Sequence, residues 1–154
     1  MNSSTERLKR RAINLQKGSA PSPLGAYSHA IVAGGFVFVS GQGARDATTG
    51  KEAGVVLDGA GEVASYDIAV QTTAVIENLK TVLTACRCNL ESLVDVTVFL
   101  KDMADFAQYN EVYARYFSFA GAPARTTVQV ADLPGNNFIE IKATAYLNHD
   151  EDEK

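Results

Sequence analysis

The chain has 154 residues, the length of one ordinary domain, enough to bury roughly 70% of its unfolded surface around a single core. A hydrophobic fraction of 46% is that of a globular protein, and a net charge of −4 gives no electrostatic footprint for DNA or RNA as a main partner. No apolar run is long enough to span a bilayer or to serve as a signal peptide, so neither membrane insertion nor export is expected.

In chain order, the basic cluster Arg7, Lys9, Arg10 and Arg11 precedes any patterned segment and reads as a solvated tail. One domain over 1–154 is expected, with 1–13 and 149–154 as flexible ends. Ala30–Ala33 and Phe36–Ser40 are β-prone runs joined by Gly34-Gly35, a pair suited to a two-residue hairpin turn. His29, beside the hairpin, reads as a surface residue. Residues 41–64 are rich in Gly, Ala, Thr and Asp and predict a long loop with a short strand at Val55–Leu57.

From Asp67 to Cys86, Ile68, Val75, Ile76, Leu79, Val82 and Leu83 recur at helical spacing and predict an amphipathic helix. Leu93–Leu100 alternates as a strand, with Val94, Val96, Val98 and Leu100 in step. A second helix is expected from about Ala104 to Phe119, where Phe106, Tyr109, Val112, Tyr113, Tyr116 and Phe117 form an aromatic stripe that reads as core packing. Pro123–Val130 and Phe138–Leu147 read as strands. The order β-β-α-β-α-β-β predicts an α+β fold with two helices on one face of a mixed sheet. The other sheet face must be covered, and its mixed polarity predicts a homo-oligomer with a polar cleft.

Cys86 and Cys88 stand one residue apart at a helix end, a spacing that disfavours both a disulfide and a zinc site, and the chain is expected in the cytoplasm. His29 and His149 are far apart, so no metal is expected. The sequence has no phosphate loop, metalloprotease helix or nucleophile elbow, and Gly41-Gln-Gly43 lacks a following helix, so no cofactor is expected.

Two charges stand out in strand-like segments. Arg125 heads the apolar-looking run Ala124–Val130, and Glu140 lies inside the last strand. A partly buried guanidinium needs a carboxylate facing it, from the protein or from a ligand. The bland alternatives are an ion pair of Arg125 with Glu140 or with an acidic residue of a neighbouring subunit, an outward edge position for Glu140, and a turn-closing role for Tyr27. With Tyr27, Ser40 and the amides near Gly41, these residues suit the binding of a small carboxylate and the movement of a proton or a water. Arg45, early in the long loop, is either solvated or a binder of a second carboxylate.

The motifs Ser22-Pro-Leu-Gly-Ala-Tyr27-Ser28, Val39-Ser-Gly-Gln42, Thr49-Gly50, Val98-Phe-Leu-Lys-Asp102, Asp105-Phe106, Asn110, Pro123-Ala-Arg-Thr126, Leu133-Pro134 and Ile139-Glu-Ile141 resemble the RidA (YjgF-like) family of enamine/imine deaminases. The resemblance runs from about residue 14 to 147. It implies a chorismate-mutase-like fold, a homotrimer with clefts between subunits, and cofactor-free hydrolysis of a small carboxylate-bearing enamine or imine to a keto acid and ammonia. By the same resemblance Arg125 grips the substrate carboxylate and Glu140 positions or activates water. Tyr27, Ser40, Gly41, Thr127 and Asn110 belong to the implied substrate-binding set, to which Arg45 is added as a candidate. Alternatives on the same scaffold are a non-catalytic metabolite-binding module and a translation-inhibitor or chaperone-like protein.

Three departures from the family pattern carry expectations of their own. Thr126-Thr127 stands where many members have Ser-Cys. The segment after Thr49-Gly50 is longer than in short members, and with the Arg125 and Glu140 motifs it looks like the 2-aminomuconate deaminase branch. Arg87 replaces a glycine where the first helix ends, so either Arg87 takes a strained left-handed cap or Asn89 takes over the cap.

Overall fold

The computed structural model describes residues 9–147. Arg7, His149 and the acidic end lie outside the described residues. The strands are β1 (Arg11–Ile13), β2 (Ala30–Ala33), β3 (Phe36–Gln42), β4 (Val55–Leu57), β5 (Val63–Tyr66), β6 (Leu93–Leu100), β7 (Ala124–Gln129) and β8 (Ile139–Tyr146), and the helices are α1 (Ile68–Ala85) and α2 (Phe106–Tyr116). Six strands form one mixed sheet in the order β1-β2-β3-β8-β6-β7, antiparallel throughout except for the parallel pair β6–β7. Because β8 lies between β3 and β6, the crossover β3–α1–β6 is split, while β6–α2–β7 joins adjacent strands.

Both helices cover one sheet face. Alternation in β8 sends Ile139, Ile141, Ala143 and Ala145 into the core at no more than 1% exposure, where they meet Val75, Leu79 and Leu83 of α1 in one buried cluster. The two small alanines leave room for the helix to sit close to the sheet. The opposite face carries Phe36, Phe38, Val128 and Tyr146, all partly exposed.

Local chemistry explains the turns. Gly34 and Gly35 have φ of 58° and 82° between β2 and β3, the positive pair that a type I′ hairpin requires. The Asp67 carboxylate caps α1 by accepting from the amides of Ala69 and Val70. At the other end, the Cys88 amide donates to the Leu83 carbonyl and the Arg87 amide to the Thr84 carbonyl, a Schellman closure with Arg87 at φ 57°. Asn89 instead caps the following short 3₁₀ turn, Leu90–Ser92. Since a side chain at that φ is strained, Arg87→Gly is expected to stabilise the protein by about 1 kcal/mol. Thermal denaturation will read this as a raised midpoint, and an unchanged or lowered one would contradict it.

Several expectations are corrected. Residues 11–13 are not a flexible end, because Arg11, Ala12 and Ile13 pair with Val32, Ile31 and Ala30 and close the edge of β2. The loop over 41–64 holds a hairpin, not a single strand. The Asp58 side chain accepts from Ala60 and Glu62 amides, and Gly61 supplies the positive φ that turns β4 into β5. In β6 a register shift lies between Leu93 and Asp95, so Leu93 enters the core and Val94 points outward at 42% exposure. The second helix begins at Phe106, after a 3₁₀ turn at Met103–Asp105 capped by Asp102, and ends at Tyr116. Finally, β7 is the sheet edge and not a buried strand, with Val128 38% exposed.

His29 is also buried, not a surface residue. Its Nδ1 accepts from the Leu15 amide at 3.2 Å and its Nε2 donates to the Pro21 carbonyl at 3.0 Å, tying the irregular N-terminal segment to the start of β2. That bonding pattern assigns the Nε2–H tautomer.

Candidate active site

The residues singled out by sequence fall into two groups on opposite faces of the sheet. Glu140 alternates with buried Ile139 and Ile141 and pairs across strands with Phe99, which puts its side chain on the face without helices. Arg125 pairs with Val96, a core residue facing the helices, so it points to the other side.

The first group surrounds the irregularity in β3, where the pairing with β8 shifts register between Val39 and Gln42. Gly41 sits there beside Glu140, and a methyl group on Gly41 would lie 2.8 Å from Glu140 Oε2. Glycine is therefore what lets the carboxylate lie against the β3 backbone. Burial raises the Glu140 pKa above its ordinary value of 4.5. No hydrogen bond to this carboxylate occurs among the described residues, so it is desolvated without a fixed donor.

Next to it, Pro21, Pro23, Tyr27, Ser40, Gly41 and Arg45 line a small pocket. Ser40 Oγ donates to the Ser28 carbonyl at 2.7 Å, which leaves its lone pairs as acceptors. Tyr27 closes the turn and also lines the pocket. Its hydroxyl oxygen accepts from the Leu24 amide at 2.9 Å and so closes the turn, while its O–H remains available to the pocket. Arg45 Nη2 donates to the Ser22 carbonyl at 2.7 Å, so the long-loop arginine reaches this cleft. The pocket has about 20 Å³ of free space, room for about one water and far below the roughly 300 Å³ at which small-ligand sites begin.

Arg125, Asn110 and Thr127 form the second group. Arg125 Nη1 donates to Asn110 Oδ1 at 2.7 Å, and no carboxylate lies within ion-pair distance among the described residues. An Arg125–Glu140 ion pair is thus not the arrangement found. Instead the guanidinium lies against the rings of Phe106, Tyr109 and Tyr113 at 5.8, 5.5 and 4.7 Å from Cζ to centroid. Burial pushes the Tyr113 hydroxyl up to about 12 against the pull of Arg125. The Tyr109 hydroxyl hydrogen-bonds Thr127 Oγ1, tying the threonine to the same helix.

Sequence reading did not find the side chains that hold these segments in place. Gln71, fully buried in α1, donates to the Asn136 carbonyl at 2.9 Å and accepts from the Phe138 amide at 2.8 Å, fixing the run into β8 just ahead of Glu140. Asn137 accepts from the Ala44 amide at 2.7 Å and donates to the Pro134 carbonyl at 2.8 Å. A methyl group on Gly43 would strike Asn137 at 2.7 Å, so Gly43 is needed for this docking. The only available signal was polar residue types at helix-core and strand-entry positions.

The model of the family described as Endoribonuclease L-PSP matches residues 17–147. The chain belongs to this family. Among L-PSP family relatives, a RutC family protein of Pyrococcus horikoshii is 46% identical over 128 residues, 83% of this chain and 92% of its own. The 2-iminobutanoate/2-iminopropanoate deaminase of Homo sapiens is 34% identical over 138 residues, 90% of each chain. The crystal structure of E. coli TdcF with bound serine matches with a TM-score of 0.73 and 31% identity, covering 88% of this chain and 99% of that one. The L-PSP chain accordingly has the chorismate-mutase-like fold that its RidA-type motifs implied. Among its described residues no cluster of three or more His, Cys, Asp or Glu side chains is placed to hold a metal. Cys86 and Cys88 are both buried thiols, and burial pushes the Cys86 thiol up to about 11. No helix among the described residues is long and apolar enough to cross a membrane.

Proposed function

We propose that this protein is a cofactor-free hydrolytic deaminase of small carboxylated enamines and imines, acting as a homotrimer with its sites between subunits. One observation carries the reading: Arg125 and Glu140, the carboxylate-binding and water-handling candidates, lie on opposite faces of one sheet. A single copy cannot apply both to one small molecule. A second copy, setting its Arg125 edge against the open face beside Glu140, brings them together and covers Phe36, Phe38 and Val128. The relative from Homo sapiens named 2-iminobutanoate/2-iminopropanoate deaminase supports the activity.

The chemistry follows from the groups present. The planar Arg125 fork holds the substrate carboxylate bidentately and sets the adjacent C=N carbon in place. Glu140 as carboxylate takes a proton from water while the water oxygen bonds to that carbon, giving a carbinolamine. The same proton passes to nitrogen to complete the carbinolamine; Glu140 then takes the hydroxyl proton and hands it to the amine, the C–N bond breaks, and ammonia leaves as the C=O forms. One water is consumed, and one keto acid and one ammonia are produced, with no redox change.

The test supplies imines in situ from amino acids with an amino-acid oxidase, and 2-aminomuconate separately because the longer loop resembles that branch. Accelerated ammonia release is expected. No acceleration with any of them defeats the reading, and RNA cleavage without imine hydrolysis would replace it. Sedimentation should give three times the 16.5 kDa chain mass, and a monomer at micromolar concentration would sink the shared site. Gly41→Ala should lower kcat/KM by about a hundredfold with the fold retained, because its methyl displaces the Glu140 carboxylate; unaltered turnover would remove Glu140 from the reaction.

A further inference from the structure

We infer that His29 is a positioning residue of the substrate cleft, acting through Tyr27: its imidazole clasps the loop that sets this tyrosine in the pocket wall. The inference rests on the deaminase reading and adds a residue to it. The loop runs from Pro21 to His29, and its ends meet, because His29 Nε2 donates to the Pro21 carbonyl at 3.0 Å. Its far side has little apolar seating, with Leu24 65% and Tyr27 48% exposed. Hydrogen bonds order it instead. Within the loop, the Leu24 amide donates to the Tyr27 hydroxyl at 2.9 Å and the Tyr27 amide to the Gly25 carbonyl at 3.0 Å. Ser40 Oγ and Arg45 Nη2 hold the carbonyls of Ser28 and Ser22 from outside, and the imidazole closes the neck.

His29 is placed for this task and for little else. It is buried, and it lines the same pocket as Tyr27, Ser40 and Gly41. Its side-chain partners, Leu15 and Pro21, belong to no strand or helix, so the ring supports no element of the sheet. Burying an imidazole is costly unless both nitrogens are bonded, and an apolar side chain would fill the space without that demand. Both nitrogens are engaged here, one by the Leu15 amide and one by the Pro21 carbonyl, so the ring has no proton to exchange with the pocket. What remains to it is position. The His29 carbonyl also accepts from the Ser40 amide at 3.0 Å, which fastens the clasp to β3 one residue before Gly41. A wall that is in place only part of the time lowers apparent affinity by that fraction, so loss of the clasp acts on binding.

The experiment compares His29→Leu, which fills the space without either bond, with His29→Gln, whose amide offers one acceptor and one donor for the same two partners. In the full-length protein, His29→Leu should raise KM for imine hydrolysis by about tenfold or more with kcat within a few-fold, and His29→Gln should recover most of the loss. Hydrogen exchange should quicken in residues 22–28 of His29→Leu while α1 keeps wild-type protection. The double variant His29→Leu with Tyr27→Ala should lose little more than Tyr27→Ala alone, since the clasp has then nothing to position. Calorimetry with 2-oxobutanoate gives a readout free of turnover, and thermal denaturation checks folding. If His29→Leu does not fold, His29→Asn, too short to reach both partners, takes its place. A wild-type KM in the folded variant, an equal loss in His29→Gln, or losses that add in full with Tyr27→Ala overturn the inference while leaving the deaminase reading intact. Weakened keto-acid binding in His29→Leu with no imine hydrolysis by the wild type would do the reverse.

Discussion

Arg125→Ala is expected to lower kcat/KM for imine hydrolysis by about a thousandfold while the protein stays folded. The guanidinium is the carboxylate anchor in the proposed site, and removing it takes away both the charge-assisted fork and the alignment of the reacting carbon. Its structural contribution is small by comparison. It lies at the sheet edge, bonds only Asn110 among the described residues, and stacks on Phe106, Tyr109 and Tyr113, which stay packed on each other without it. Loss of one cation–aromatic cluster and one partly exposed hydrogen bond costs less than about 2 kcal/mol. Arg125→Lys separates charge from shape: it keeps a cation but not the planar fork, so activity should remain well below wild type. A midpoint near wild type together with wild-type turnover in Arg125→Ala would remove this residue from the site.

Glu140→Gln should abolish most turnover and at the same time raise stability at neutral pH. The first effect follows from losing the base that handles water, worth about a hundredfold or more. Burial raises the folded-state pKa of Glu140 above 4.5, so the folded protein binds this proton more tightly than the unfolded chain does. The stability contribution is therefore greatest below pH 4.5, declines as pH rises through 4.5 toward the folded pKa, and is a full penalty above it. Glutamine carries no charge to desolvate, so its advantage in thermal midpoint should be present at pH 7 and shrink on acidification. Wild-type kcat/KM should fall on the acid side with a midpoint above 4.5, and Glu140→Gln should lack that limb. A variant that is inactive and also less stable at pH 7 would assign Glu140 to the architecture instead.

Sequence reading succeeded where the chemistry was local. Gly34-Gly35 names its turn and Asp67 its helix start, while the left-handed cap at Arg87 was one of two outcomes that the family resemblance left open, the other being a cap at Asn89. What was not legible depended on distant partners. Alternation says that Arg125 and Thr127 share one face and Glu140 and Thr144 another, but not which face meets the helices. That is decided by the parallel register of β7 on β6 and by the antiparallel insertion of β8. His29 gave no hint of burial, since its partners Leu15 and Pro21 lie in an irregular segment. Arg11–Ile13 has too little apolar content to mark a strand, and forms one only because β2 offers an open edge. Of the aromatic stripe, Tyr109, Val112, Tyr113 and Phe117 are core as read, whereas Phe106 is 36% exposed, and the same spacing that packs the stripe also wraps Arg125.

The central place of β8 has a consequence for biosynthesis. As the chain emerges from the ribosome, β1 to β3 and then β6 and β7 are complete while the slot between β3 and β6 is still empty, leaving two raw strand edges side by side. Only when the last described strand leaves the tunnel and inserts, antiparallel to both neighbours, can either half be zipped shut. The pairing that closes the sheet therefore joins residues far apart along the chain and is slow by nature. The same event delivers Glu140, so a nascent protein cannot present its water-handling carboxylate before its architecture is finished, and a chain cut short before Ile139 exposes sticky edges rather than a partial catalyst.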